Sequence, residues 1–166
     1  GDTVRRWHRG MRDTVSREIL RQAQLGKAAR LTPEELERVR RVIAGQMAYL
    51  ERFADEIAAR AAAGRPMSEA AIADRARMYG GEAYTEFWRM HEEVEYGPGY
   101  IVHYHSQDDG GTCSPCLIAQ ENGPYAWGTD HPRPAGSTCL GRGKCRCWLT
   151  YEFNMALYEE LLTQAA

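Results

Sequence analysis

All five cysteines of this 166-residue chain fall between Cys113 and Cys147. Cys113-Ser-Pro-Cys116 forms one cluster, and Cys139, Cys145 and Cys147 form a second around Gly141-Arg142-Gly143-Lys144. Two close groups of thiols separated by a Gly/Pro-rich excursion bring soft ligands around one ion. Zinc takes about four thiolate or imidazole ligands, at roughly 2.3 and 2.0 Å, in a tetrahedron. The C-x-x-C supplies two of them from a tight turn and the second cluster closes the site. Pro115 and the glycines suit that use, because they bend the backbone where regular structure cannot turn.

Other uses of these thiols fit less well. A disulfide framework would leave an odd thiol, and a chain of this length builds a core without one. A thioredoxin-like redox pair needs a βαβ setting that the sequence does not offer. A zinc deaminase needs H-x-E followed by P-C-x-x-C. His91-Glu92-Glu93 sits late in a helical run, and Thr112 precedes Cys113. The expectation is a structural zinc held by four of Cys113, Cys116, Cys139, Cys145 and Cys147. Read as the start of a strand, Cys145 and Cys147 point to opposite faces, so only one of them binds.

Apolar residues make up 43% and charged residues 27% of the chain, which places it among globular proteins. No apolar run approaches the roughly 18 residues that a membrane span requires. The opening Gly1-Asp2-Thr3, without an initiator methionine, is what the ordered part of a longer protein would show, and the clustered thiols favour a reducing compartment. The net charge is only −2, but it is unevenly spread. Arg5, Arg6, Arg9, Arg12, Arg17, Arg21, Lys27 and Arg30 crowd the first thirty positions, against Asp2, Asp13 and Glu18. Arg133, Arg142, Lys144 and Arg146 lie around the second thiol cluster. A basic arm of this kind meets nucleic acid or an acidic protein surface, or is a solvated helix face.

The first hundred residues read as helices. Val4, Trp7, Met11, Val15, Ile19 and Ala23 recur at spacings of three and four over residues 3–24, with Gly26 as the expected stop. Thr32 caps a second helix, Pro33 takes its first turn, and Glu34 and Glu35 complement its dipole. Its stripe runs through Leu36, Val39, Ile43, Met47, Leu50, Phe53 and Ile57 to about Ala63, before Gly64-Arg65-Pro66. Thirty helical residues span about 45 Å, which calls for an antiparallel neighbour or a partner. Ser68 caps a third helix carrying Ile72, Tyr79, Ala83, Phe87, Met90 and Val94. Gly80-Gly81 marks a kink or a close backbone approach within it.

From Tyr100 the character changes. Tyr100-Ile101-Val102-His103-Tyr104-His105 is β-branched and aromatic, a short strand. It places His103 and His105 on one face, with Asp108 and Asp109 just beyond. Such a group serves as a metal or acid/base site, or merely packs on a half-buried sheet. One helical turn at residues 116–120 leads to a loop from Gly123 to Trp127. A second strand at residues 145–153 pairs with the first, and a short amphipathic segment from Met155 to Leu162 ends the chain.

Laid out this way, the second half resembles the Mu-type head morphogenesis family, minor head proteins of tailed bacteriophages. That family has a helical portion, then a strand ending near W-x-x-x-x-D-x-R-T-C-x-x-C, a Gly/Pro loop, H-P-x-C-R-C and an apolar strand. Residues 104–116 match the first motif in outline, Cys145-Arg146-Cys147-Trp148-Leu149 matches the last, and residues 71–89 are similar to the helix before the strand. Tyr104 stands where the family has tryptophan, and the arginine before Thr-Cys is absent. Arg142 occupies the place of the histidine before C-R-C. Cys139, with His131 as second choice, would supply that ligand. The resemblance implies a minor virion component in the phage head, in the host cytoplasm during assembly. It also implies contact with the portal or other head proteins and with packaged DNA.

The expected fold is α+β and mostly α: a helical arm or bundle over residues 1–98, a zinc-stapled β-hairpin module over 99–153 and a C-terminal helix over 154–166. The expected role is structural, without catalysis and without a membrane, in multiple copies on an oligomeric partner. Packaged DNA would be met through the basic first helix. Two other classes compete. One is a nucleic-acid-binding zinc module using the loop from Arg142 to Arg146. The other is a metal-dependent enzyme using His103, His105 and Asp108, which would need an open coordination position.

Overall fold

The computed structural model describes residues 2–107, 109–136, 138–141 and 144–164. Asp108, of the enzyme alternative, and Arg142, of the basic loop, lie outside the described residues. Three long helices come first: α1 (Asp2–Lys27), α2 (Pro33–Ala62) and α3 (Glu69–Glu95). β1 (Tyr100–His105), α4 (Ser114–Asn122), β2 (Tyr125–Ala126), β3 (Trp148–Phe153) and α5 (Met155–Gln164) follow. The chain is therefore mostly helical, with a small antiparallel sheet, as the α+β expectation has it.

The apolar stripes become the helical core. Val15, Ile19 and Ala23 of α1 meet Val39, Leu50, Phe53 and Ile57 of α2 and Tyr79, Ala83 and Met90 of α3 in one buried cluster. Trp7 closes its outer end, edge-on to Phe53 with ring centroids 5.7 Å apart. α2 starts where its caps require: Thr32 Oγ1 accepts from the Glu35 N–H at 3.3 Å, and the Glu35 carboxylate accepts from the Thr32 N–H at 2.6 Å. Lys27 pairs with the same carboxylate and fastens the end of α1 to the start of α2. Burial along α2 ends at Ile57, and residues 58–66 are all exposed.

One glycine expectation changes. Gly26 does not end α1; it is buried within the helix, where α3 crosses. A Cβ at Gly26 would lie 2.2 Å from the Phe87 carbonyl oxygen, so only glycine lets the two backbones come this close. α3 runs continuously from Glu69 to Glu95 through Gly80-Gly81, with Gly81 buried.

The sheet has the order β2-β1-β3, so it is a hairpin-like pair with a third, two-residue strand on its other edge. β1 and β3 pair from Tyr100↔Phe153 to His105↔Trp148. β2, read from sequence as loop, pairs Ile101↔Ala126 and Val102↔Tyr125. Alternation turns Val102, Tyr104 and Leu149 inward, and these are buried. They form a second core with Cys116, Ala119, Cys139 and Cys147, against which Trp88 of α3 packs. Tyr96, just after α3, stacks on Tyr151 of β3 with ring centroids 3.8 Å apart. α5 has no buried residue. Among the described residues, no helix is long and apolar enough to cross a membrane.

Candidate metal centre

Cys113 is the N-cap of α4, and Pro115 in the first turn commits the chain to helix there. That turn places Cys116 beside Cys113, with their sulfurs 3.2 Å apart. Cys139 arrives from the long loop, its N–H bonded to the Gly136 carbonyl at 2.9 Å. Its sulfur lies 3.9 Å from Cys113 Sγ and 3.6 Å from Cys116 Sγ. Four thiolates about 2.3 Å from a central ion would stand about 3.8 Å apart in a tetrahedron. The three measured separations bracket that edge. They are also far longer than the roughly 2.05 Å of a disulfide, and none of the five cysteines is in a disulfide.

The other two cysteines join the same cluster. Cys116, Cys145 and Cys147 form a second group whose sulfurs lie within 4.8 Å of one another, as do those of Cys113, Cys116 and Cys139. The opposite-face expectation for Cys145 and Cys147 therefore fails. β3 starts only at Trp148, and residues 145–147 are irregular backbone, to which strand alternation does not apply. The five cysteines lie close enough to bind a metal ion.

Ionisation within the cluster is uneven. Burial pushes the Cys116 thiol well above its usual range, an effect its neighbours Cys113 and Cys139 reinforce. The Cys145 thiol is lowered, first by its hydrogen bond with Cys139 and then by the backbone N–H groups of Cys147 and Ala135. Such N–H groups stabilise a thiolate. Tyr104 points inward from β1 and donates its hydroxyl proton to Cys116 Sγ at 3.2 Å. Burial, then that hydrogen bond, hold its own pKa far above the usual value, so it remains the donor.

Around the sulfurs, Arg146 ties the two cysteine clusters together. Its Nη2 donates to both Asp109 carboxylate oxygens, at 2.8 and 2.6 Å, while Asp109 Oδ1 also accepts from the Gly111 N–H at 3.0 Å. The Arg146 guanidinium holds the Asp109 carboxyl below its usual range. His131, the second choice for a ligand, is engaged elsewhere. Its Nδ1 lies 3.0 Å from the Thr129 carbonyl oxygen, and its Nε2 lies 2.7 Å from Glu92 Oε1. Arg133 donates to the other oxygen of Glu92, at 2.8 Å from Nε. These contacts clamp the long loop to α3.

His103 and His105 do share a face, but it is the outer one, away from the sulfurs. His103 Nε2 lies 3.2 Å from Glu152 Oε2, and His105 Nε2 lies 2.7 Å from Thr150 Oγ1 with its ring stacked on Trp148. Sequence reasoning missed the roles of Tyr104, Asp109 and Glu92. Only Tyr104 left a signal, since alternation with Val102 turns it inward. No protein-family model matches the chain, and neither a curated protein nor a solved structure matches it.

Proposed function

We propose that this chain is a structural attachment protein in which one zinc ion, held by four of the five cysteines, staples a small sheet module that is joined to a helical body. The observation that carries this reading is the sulfur geometry, three thiols separated by 3.2, 3.9 and 3.6 Å with two more in reach. Zinc fits the donor set, because all the donors are soft thiols and they converge in two groups of three that share Cys116. When bound, the ion supplies a fourfold cross-link and the positive charge that lets buried thiols ionise. All five cysteines belong to or pack against the second core, so ion binding there is folding free energy.

The setting proposed is the head of a tailed phage, with the portal or another oligomeric head protein as partner. Supporting it are the match of residues 104–116 and 145–149 to the motifs of the Mu-type head morphogenesis family and the helical portion ahead of them. The helical body also offers attachment surfaces: Arg5, Arg9, Arg12 and Arg17 are exposed on α1, and the end of α2 is uncovered beyond Ile57. Contact with packaged DNA falls to those arginines rather than to the loop of residues 142–146, where Arg146 is already held by Asp109.

The test has two parts. Elemental analysis of protein purified under reducing conditions gives one zinc per chain, and the chain co-purifies with a portal-like oligomer from assembled particles. Zinc-free protein with its cysteines in disulfides sinks the metal reading. A zinc-bearing chain that never enters particles sinks the head reading alone.

A further inference from the structure

A tetrahedral zinc uses four sulfurs, yet five converge here. The surplus has a definite arrangement: two groups of three, Cys113/Cys116/Cys139 and Cys116/Cys145/Cys147, which share Cys116. We propose that the cluster is also a two-ion site for soft monovalent metal, copper(I) in class, with one ion in each triad and Cys116 bridging them. This rests on the reading that the cysteines bind metal at all.

Three thiolates in a plane, about 2.3 Å from one ion, stand about 4 Å apart. The first triad has separations of 3.2, 3.9 and 3.6 Å, and the second lies within 4.8 Å throughout. Two three-coordinate ions have six positions, and five sulfurs fill them when one sulfur serves both. Thiolate is the ligand class that selects copper(I) over harder ions. The bridging role suits Cys116, which is buried at the centre of the cluster. A thiolate sulfur has three lone pairs. Two would face the ions, and the third accepts the Tyr104 hydroxyl proton at 3.2 Å.

Five thiolates carry more negative charge than two monovalent ions cancel. The groups that offset it are in place. Backbone N–H groups of Cys147 and Ala135 face the Cys145 sulfur, Cys113 sits at the N-terminus of α4, and Lys144 lines the cluster. Loading is ligand exchange: each thiol gives its proton to solvent as its sulfur binds, and nothing is oxidised.

The test is native mass spectrometry of the full apo chain, kept reduced and anaerobic, titrated with copper(I) from a buffered copper(I) complex and separately with zinc. The expected result is two coppers but one zinc per chain, with a short copper–copper distance in X-ray absorption. Cys113→Ser and Cys147→Ser each keep one intact triad and should hold one copper. Cys116→Ser breaks both triads and should hold none tightly. Far-UV circular dichroism checks that the helices of each variant survive, and the wild-type stoichiometry needs no variant. Saturation at one copper, or two coppers retained by Cys116→Ser, overturns the proposal. One copper with one zinc would leave the structural-zinc reading standing, whereas binding of neither metal removes both.

Discussion

Tyr104 and Cys116 meet inside the module, the hydroxyl of one donating to the sulfur of the other across 3.2 Å. Partners in a metal site's outer shell set the orientation and basicity of its ligands. Removing only the hydroxyl, with Tyr104→Phe, should weaken metal binding about tenfold, because loss of such a partner typically costs 10–100-fold. The ring keeps its packing, so the fold should be retained. Competition against a chromophoric chelator measures the affinity, and an unchanged value would mean that the hydrogen bond is incidental.

The cysteines are part of the second core, whereas the helical core contains none of them. Cys113→Ser, or removal of the ion by a chelator, should therefore loosen residues 99–153 and spare α1 to α3. Hydrogen exchange resolved along the chain should rise in the module by orders of magnitude while Val15, Leu50 and Met90 stay protected. Uniform loosening from Asp2 to Gln164 would show that the two cores fold as one unit.

Gly26 and Gly10 are both in α1, yet the same substitution should act on them with opposite sign. A Cβ at Gly26 would meet the Phe87 carbonyl at 2.2 Å, and only separation of α1 from α3 relieves it. Gly26→Ala should therefore cost about 2–3 kcal/mol, the upper part of the usual range for overpacking. At Gly10 nothing lies within 4 Å, and Gly10→Ala should gain roughly 0.5–1 kcal/mol of helix propensity. Urea denaturation of the two variants gives both signs, and two shifts in the same direction would refute the crossing geometry.

These glycines also show which parts of the structure could be read in the sequence. The stripes of α1 to α3, the Thr32 cap and the cysteine set could be read, because each depends on residues near in sequence or on a strict chemical type. Gly26 looked like a helix stop because its reason is the distant Phe87 carbonyl. β2 is two residues long and exists only because the edge of β1 accepts it. The convergence of Cys145 and Cys147 was hidden by extending β3 to residue 145. His131 matched a ligand by type, but Glu92 and Arg133 determine where its ring goes.

Glu86 is fully buried on α3, and burial raises its pKa against a smaller opposing pull from Arg89. Glu82 and Glu93 push in the same direction as burial, and Arg38 opposes it. A carboxyl whose folded pKa lies above its unfolded one stabilises the fold fully below the unfolded value. That contribution is lost as pH rises through the folded value. Glu86→Gln removes this loss, so it should stabilise the protein at pH 8. The gain should shrink as pH falls toward the ordinary carboxylate value of 4.5. Arg89 Nη1, 2.7 Å from Oε1, loses its ion-pair partner and offsets part of the gain. Denaturation curves across pH test the trend, and a difference that grows toward acid would reverse the sign argued here.

Charge reversal on α1 tests how the protein is held in place. Arg5, Arg9 and Arg12 are exposed, while Val4, Trp7 and Met11 on the same turns pack against the helical core. The arginines thus contribute little to the fold: Arg5 pairs with the exposed Asp2, and exposed pairs of this kind are worth about 0–1 kcal/mol. If α1 docks on an acidic oligomer, opposite charges speed the encounter, and added salt screens them. Replacing all three with glutamate should cut incorporation into particles at least tenfold and abolish its salt sensitivity, while the thermal midpoint moves by only a few degrees. The outer sheet face is the control. His103→Ala and His105→Ala should assemble normally, since His103 contacts Glu152 and His105 contacts Thr150 and Trp148, all on that same face. Normal assembly of the glutamate variant, with failure confined to the two histidine variants, would move the functional surface from α1 to the sheet and make the enzyme alternative the one to pursue.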